Sequence, residues 1–183
     1  MNASLTKSAA LFDAELWVRE NLPGAPSLKA GTLQVVAGFT LLWNLFEELV
    51  CKNRADVGTF QRITEDLESS PKLEKLVAKS VSFYRFRYVA DQEMKPIFNG
   101  LHFRANDRRE HVESVLKGEV VELGGKVLAL LIIAYRIRNN LFHGLKSLHI
   151  WDDQAKNISE ASRVLALMIE AKSGYLVEES QAR

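Results

Sequence analysis

Cysteine is almost missing from this chain: Cys51 stands alone among 183 residues. An internal disulfide is excluded, and a reducing, cytoplasmic setting is the expectation. Cys51 ends an apolar helical run, so it reads as a buried structural thiol rather than a nucleophile. Breakers are scarce too, with four prolines and ten glycines, so helices can run long. Alternating polar and apolar segments, the mark of half-buried strands, are essentially lacking. Neither sign of charge dominates: 24 Lys and Arg face 23 Asp and Glu, a formal net charge of +1. Any surface for nucleic acid must therefore be local. Long hydrophobic runs are also absent. Val35 to Val50 is interrupted by Asn44, Glu47 and Glu48, and Val127 to Tyr135 falls well short of the roughly 20 residues that span a bilayer. Both read as core helices, and no membrane partner is expected. Asp13 and Glu15 break up the N-terminal stretch, which argues against a signal peptide. His102, His111 and His149 have no ligand-type neighbours at metal-binding spacing, and Gly124-Gly125 is too little for a phosphate-cradling loop. No metal or cofactor is called for.

What remains is helical. With 47% hydrophobic and 26% charged residues, the chain can bury one real core, and a single domain is the expectation. Residues 4 to 20 carry apolar side chains near helical spacing. Thr32 to about Lys52 is too apolar for a solvent-facing helix and reads as central. Thr59 to Glu68 is short and amphipathic. Ser70-Pro71 has the cap and first-turn residues of a helix reaching about Val89. Residues 92 to 117 are less regular, with a turn at Asn99-Gly100 and Asp107 placed to cap a short helix ending near Gly118. Glu119 to Leu123 fits either a strand-like edge or a helix lead-in. After Gly124-Gly125 comes the strongest helix, Lys126 to about Phe142, with Gly144 as its stop. Asp152-Asp153 suits the cap of a last helix to about Lys172. The tail from Glu178 is polar and expected to fray. The sum is an all-α bundle of five or more helices.

One heptad concentrates the chemistry: Arg138-Asn139-Asn140-Leu141-Phe142-His143-Gly144. Arg138 and His143 are five positions apart, which on a continuous helix separates them by about 140° around the axis. They converge only if the helix ends between them, and Gly144 favours that ending. An arginine and a histidine on one phosphate make a plausible RNA-cleaving pair, because RNA brings its own 2′-hydroxyl nucleophile. Histidine titrates near neutrality and can carry the proton. Arginine stays charged and forks onto phosphate oxygens. Asn139 and Asn140 can add neutral hydrogen bonds. The plainer alternative is a helix end: Arg138 on the last carbonyls, His143 as a polar cap, Leu141 and Phe142 in the core.

The segment IRNNLFHG, following VLALLIIAY, resembles the R-x(4–6)-H motif of HEPN domains, including the polar residue after the arginine. LLWNLFEELV resembles an early core helix of bacterial HEPN groups, with Trp43 and Glu47 at the matching spacing, and the closing helix from Ser159 to Lys172 fits the pattern. Residues 54 to 118 carry no such resemblance. The resemblance implies a helical bundle that forms a homodimer and a metal-independent endoribonuclease in which both subunits line one cleft. The settings it implies are toxin–antitoxin pairs, phage defence or RNA processing. On that pattern Arg138 would bind the phosphate, Asn139 would assist, and His143 would act as acid or base. His143 of the partner subunit would take the complementary role. The same resemblance also covers non-catalytic interaction or RNA-binding modules that work beside a nucleotidyltransferase. An antitoxin or a nucleotidyltransferase is therefore the protein partner it suggests.

Other residues carry two readings each. Glu47 is either an acid that orients Arg138 from beneath or a half-exposed neighbour of Glu48. Arg136, two residues before Arg138, either reaches RNA or faces solvent, with solvent preferred. Arg104 and Arg108, in the run RANDRREH, are candidate RNA-backbone contacts, though Asp107 and Glu110 dilute the charge and favour a solvated face. Arg85 and Arg87 alternate with Phe83, Tyr84, Phe86 and Tyr88. That interleaving can stack bases, but core or dimer-interface packing is preferred at this spacing.

Overall fold

Several helices begin where a short polar side chain takes the first free backbone N–H groups. In the computed structural model, which describes residues 11–142 and 150–173, Asp13 accepts from the Leu16 amide at 2.9 Å and opens α1 (Ala14–Asn21). Of the helix expected over 4 to 20, residues 4 to 10 lie outside the described set. α2 (Thr32–Leu49) follows. Asp56 accepts from Thr59 at 2.7 Å to open α3 (Val57–Glu65), and Ser70 accepts from Leu73 at 3.2 Å to open α4 (Pro71–Tyr88). Pro71 occupies the first turn, where its missing N–H costs nothing.

α4 runs into a small hairpin, β1 (Val89–Ala90) and β2 (Glu93–Met94), paired antiparallel with Val89 opposite Met94. Its turn residues Asp91 and Gln92 both take positive φ, 49° and 63°, which matches the twist of adjacent strands. A 3-10 segment, Pro96–Leu101, precedes α5 (Arg109–Lys117), which stops at Gly118 with φ 91°. The last two helices are α6 (Leu123–Phe142) and α7 (Trp151–Ser173). Among the described residues no helix is long and apolar enough to cross a membrane.

α6 is the axis of the bundle. Every residue from Val127 to Ala134 is buried, so the helix has no solvent face over two turns. α3, α4, α5 and α7 pack around it, and α2 lies along α7. α6 starts at Leu123, earlier than the glycine pair suggests, because those glycines serve contact rather than breakage. A Cβ on Gly124 would sit 2.7 Å from the Thr64 carbonyl oxygen of α3, so only glycine permits this approach. Gly125 offers its carbonyl to His111 Nε2 at 2.9 Å. Residues 119 to 121 are irregular, so Glu119 to Leu123 is a lead-in and not a strand.

Two expected caps do other work. Asp107 does not cap α5, whose N-cap is Arg108. Asp152 lies inside the first turn of α7 and reaches across to the Lys29 amide (3.1 Å) and Thr32 Oγ1 (2.5 Å). These donors hold its carboxyl below the usual range and tie α7 to the start of α2. The aromatics of α4 divide as their spacing requires. Tyr84 and Tyr88 are buried, with hydroxyls donating to the backbone carbonyl and side-chain oxygen of Asn157 on α7, while Phe86 is exposed.

Candidate functional site

The C-terminal turn of α6 carries Arg138, Asn139 and Asn140; His143 and Gly144 lie outside the described residues. Three faces of this turn meet three different surroundings, as a rotation of 100° per residue requires. Tyr135 and Arg138 face Trp43 of α2, with Phe142 beside Arg138. Arg136 and Asn140 face the 3-10 segment and the loop after it. Asn139 lies between these two directions.

On the α2 side, the Arg138 guanidinium lies between two rings, its carbon 5.7 Å from the Trp43 centroid and 5.1 Å from the Phe142 centroid. Both separations are within cation–π range. Its Nη1 donates to Asn139 Oδ1 at 3.2 Å, and its Nε is buried with no partner among the described residues. Among the described residues no carboxylate pairs with it. The arginine is thus fixed by aromatic rings and one amide, with no countercharge among the described residues. Glu47 does not orient Arg138 directly. It accepts the Trp43 indole N–H at 3.0 Å, and its influence on Arg138 runs through the ring between them. Trp43 also stacks on Tyr135, centroids 6.0 Å apart, so one indole supports two residues of α6.

The opposite face corrects the expectation for Arg136. It is 2% exposed, so it neither faces solvent nor can touch RNA. Its Nη1 lies 3.0 Å from Asp107 Oδ2, and its Nε donates to the Leu101 carbonyl at 3.0 Å. A buried cation needs a countercharge, and Asp107, which the sequence places on the surface, supplies it. Burial, more than any neighbouring charge, lowers the Arg136 pKa, while Asp107 opposes that shift. Asn140 also turns inward: its amide donates to the Gly100 and Leu101 carbonyls at 3.0 and 3.4 Å. It ties the loop to α6 and is no longer free to contact RNA. Asn139 is buried at 4% and serves Arg138 as an acceptor.

Arg104 and Arg108 remain at the surface, as an RNA-contact role requires. Arg108 Nη1 is held by Gln61 Oε1 at 2.6 Å, whereas the Arg104 side chain has no hydrogen-bond or ion-pair partner among the described residues. Because Asp107 is spent on Arg136, it does not dilute the charge there. Arg104 forms one side of a cleft of about 480 Å³ whose lining also includes Asp56, Gly58, Asn106 and Tyr135. This cleft is not legible in the sequence, since its walls come from three distant segments. Cys51 is buried at 3%, and burial pushes its thiol up to about 12, as expected of a structural cysteine.

Comparison with protein-family models, with curated proteins and with solved structures finds no match to this chain.

Proposed function

We propose that this protein is a metal-independent endoribonuclease of the HEPN type, cutting RNA at a cleft shared by two copies of the chain. The observation that carries this reading is the state of Arg138. A half-buried arginine is usually neutralised by a carboxylate. Here two rings and an amide position the guanidinium, and no described carboxylate neutralises it. A cation held ready and unpaired suits a transient anion such as a scissile phosphate.

The chemistry follows from the residues of the motif. His143 removes the proton from the 2′-hydroxyl, whose oxygen attacks the adjacent phosphorus. Arg138 stabilises the extra negative charge on the phosphorane. The bond to the 5′-oxygen breaks, and that oxygen takes a proton from His143 of the partner subunit. The products are a 2′,3′-cyclic phosphate and a 5′-hydroxyl. The 2′-hydroxyl supplies the nucleophile, so cleavage should persist in EDTA. The test compares wild type with Arg138→Ala and His143→Ala on a mixed single-stranded RNA pool, each loss expected at about 10²-fold or more. Undiminished cleavage by either variant would remove the role assigned to that residue. Growth arrest on expression, relieved by His143→Ala, would extend the reading to a toxin or phage-defence effector.

A second reading, a non-catalytic module that binds RNA or a partner such as a nucleotidyltransferase, draws on one observation. α2 exposes Leu41, Leu45 and Leu49 at one-turn spacing, an apolar stripe of the kind that protein partners cover. A wild-type chain that binds RNA without cutting it, and that loses a partner on Leu45→Asp, would favour this reading.

A further inference from the structure

We propose that the cleft between the Asp56–Gly58 turn and the Arg104–Asp107 turn is a nucleotide subsite, holding one nucleotide of the single-stranded RNA beside the position of Arg138. This inference deepens the endoribonuclease reading, and its substrate depends on that reading.

The cleft, at about 480 Å³, has the size of small-ligand sites. Its outer wall is a rigid turn. The Arg104 amide donates to Asp107 Oδ2 at 2.6 Å, the Asp107 amide donates to the Arg104 carbonyl at 3.0 Å, and Asp107 is fastened to the buried Arg136. The turn consumes the only carboxylate on that wall and leaves Arg104 exposed and unpaired, with the Asn106 side chain also free of described partners. Asp56 on the facing wall is the one competing anion. It accepts from the Thr59 amide at 2.7 Å and from Arg54 Nε at 3.0 Å, so much of its charge is already met.

Tyr135 also lines the cleft. Its ring is clamped by Trp43 at 6.0 Å and by Phe60 at 5.7 Å, while its hydroxyl meets no described donor or acceptor. An oriented phenol, a free amide and a free guanidinium around one space can recognise a phosphate and the polar edge of a base together. Position ties the cleft to the motif. Tyr135 and Arg138 are one turn apart on the same face of α6, about 4.5 Å along the axis, and both rest on the Trp43 indole. A strand whose phosphate meets Arg138 would therefore place a neighbouring nucleotide at the cleft.

The test uses the full chain and a fluorescein-labelled 2′-O-methyl RNA decamer, which cannot be cut because it lacks the nucleophile. Binding is followed by anisotropy across a salt series. Arg104→Ala is expected to weaken binding about 10-fold and to flatten the salt dependence by about 0.7 in the log–log slope, the amount for one single-strand phosphate. Tyr135→Phe and Asn106→Ala should each weaken it about 3-fold. Lys79→Ala, on the exposed side of α4, should leave affinity and slope unchanged. Far-UV circular dichroism of each variant reports its folding. Arg104→Ala and Asn106→Ala binding within 2-fold of wild type would overturn the subsite, as would a wild-type chain that fails to bind the decamer. If natural RNA is not cleaved but binding still depends on Arg104, the subsite stands and the endoribonuclease reading falls.

Discussion

Replacing Asp107 with asparagine should destabilise this fold more than any ordinary surface change. The side chains of Asp107 and Arg136 are 7% and 3% exposed, 3.0 Å apart. Removing one charge leaves the other buried without compensation, a change that costs about 3–5 kcal/mol. For a chain of this size that is a fall in Tm of roughly 6–20 °C. Arg136→Met should cost a similar amount, since it strands the carboxylate and removes one of the two donors to the Leu101 carbonyl. The double variant Arg136→Met/Asp107→Leu should recover much of the loss, because a buried pair and a well-packed apolar pair are nearly equivalent. Urea denaturation followed by circular dichroism would give the three values and their coupling. A loss below about 1 kcal/mol for Asp107→Asn would refute the reasoning. It would mean that water reaches the pair, and that the Arg104–Asp107 turn is not anchored as described.

The remaining predictions concern packing and protons. Glu47→Ala should cost about 1–3 kcal/mol by stranding the buried Trp43 N–H, while Glu47→Gln, which keeps an acceptor, should cost under about 1; equal losses in urea melts would show that charge matters rather than the hydrogen bond. Gly124→Ala should destabilise by about 1–3 kcal/mol through the clash with the Thr64 carbonyl. Gly38→Ala on α2, where an added Cβ meets nothing within 4 Å, should instead stabilise by roughly 0.5–1 kcal/mol, and a shared sign in thermal melts would contradict the contrast. Stability should fall as pH rises above about 9. Burial raises Cys51 to about 12 and also raises Tyr84 and Tyr88. The native state therefore keeps protons that the unfolded chain releases. Urea midpoints unchanged from pH 8 to 11 would contradict this.

Local signals were legible wherever one residue decides one feature. Ser70-Pro71 starts α4, Gly118 stops α5, and the apolar run after Lys126 is the buried axis. Neither reading of Glu47 foresaw its hydrogen bond to the Trp43 indole. Long-range pairing was not legible. Nothing near Arg136 in sequence distinguishes it from a surface arginine, because its countercharge arrives from a loop far back along the chain. The same pairing hid the true role of Asp107, whose position just before a helix looks like a cap. The hairpin at Val89–Met94 escaped notice because two-residue strands carry no alternation and Asp91-Gln92 lacks the glycine that usually marks such a turn. At the candidate site, Arg138 was singled out by the motif its heptad resembles, but its ring clamp and the burial of Asn139 and Asn140 depend on which neighbour each face of α6 meets.

The loop at residues 100 to 107 is tied to α6 by polar side chains. Arg136 holds Asp107 and the Leu101 carbonyl, and Asn140 holds the Gly100 and Leu101 carbonyls. Residues 100 to 107 are therefore fixed from one face of α6, while the opposite face presents Arg138 to Trp43. A loop attached this way cannot shift without disturbing the helix end that carries the candidate phosphate-binding arginine. Arg136 and Asn140 act on that geometry from inside the protein. Substituting them should lower folding stability and any Arg138-dependent activity together. Arg104, exposed on the same loop, should alter RNA binding alone. Separating these two effects in one set of variants tells whether the loop is scaffold, contact surface or both.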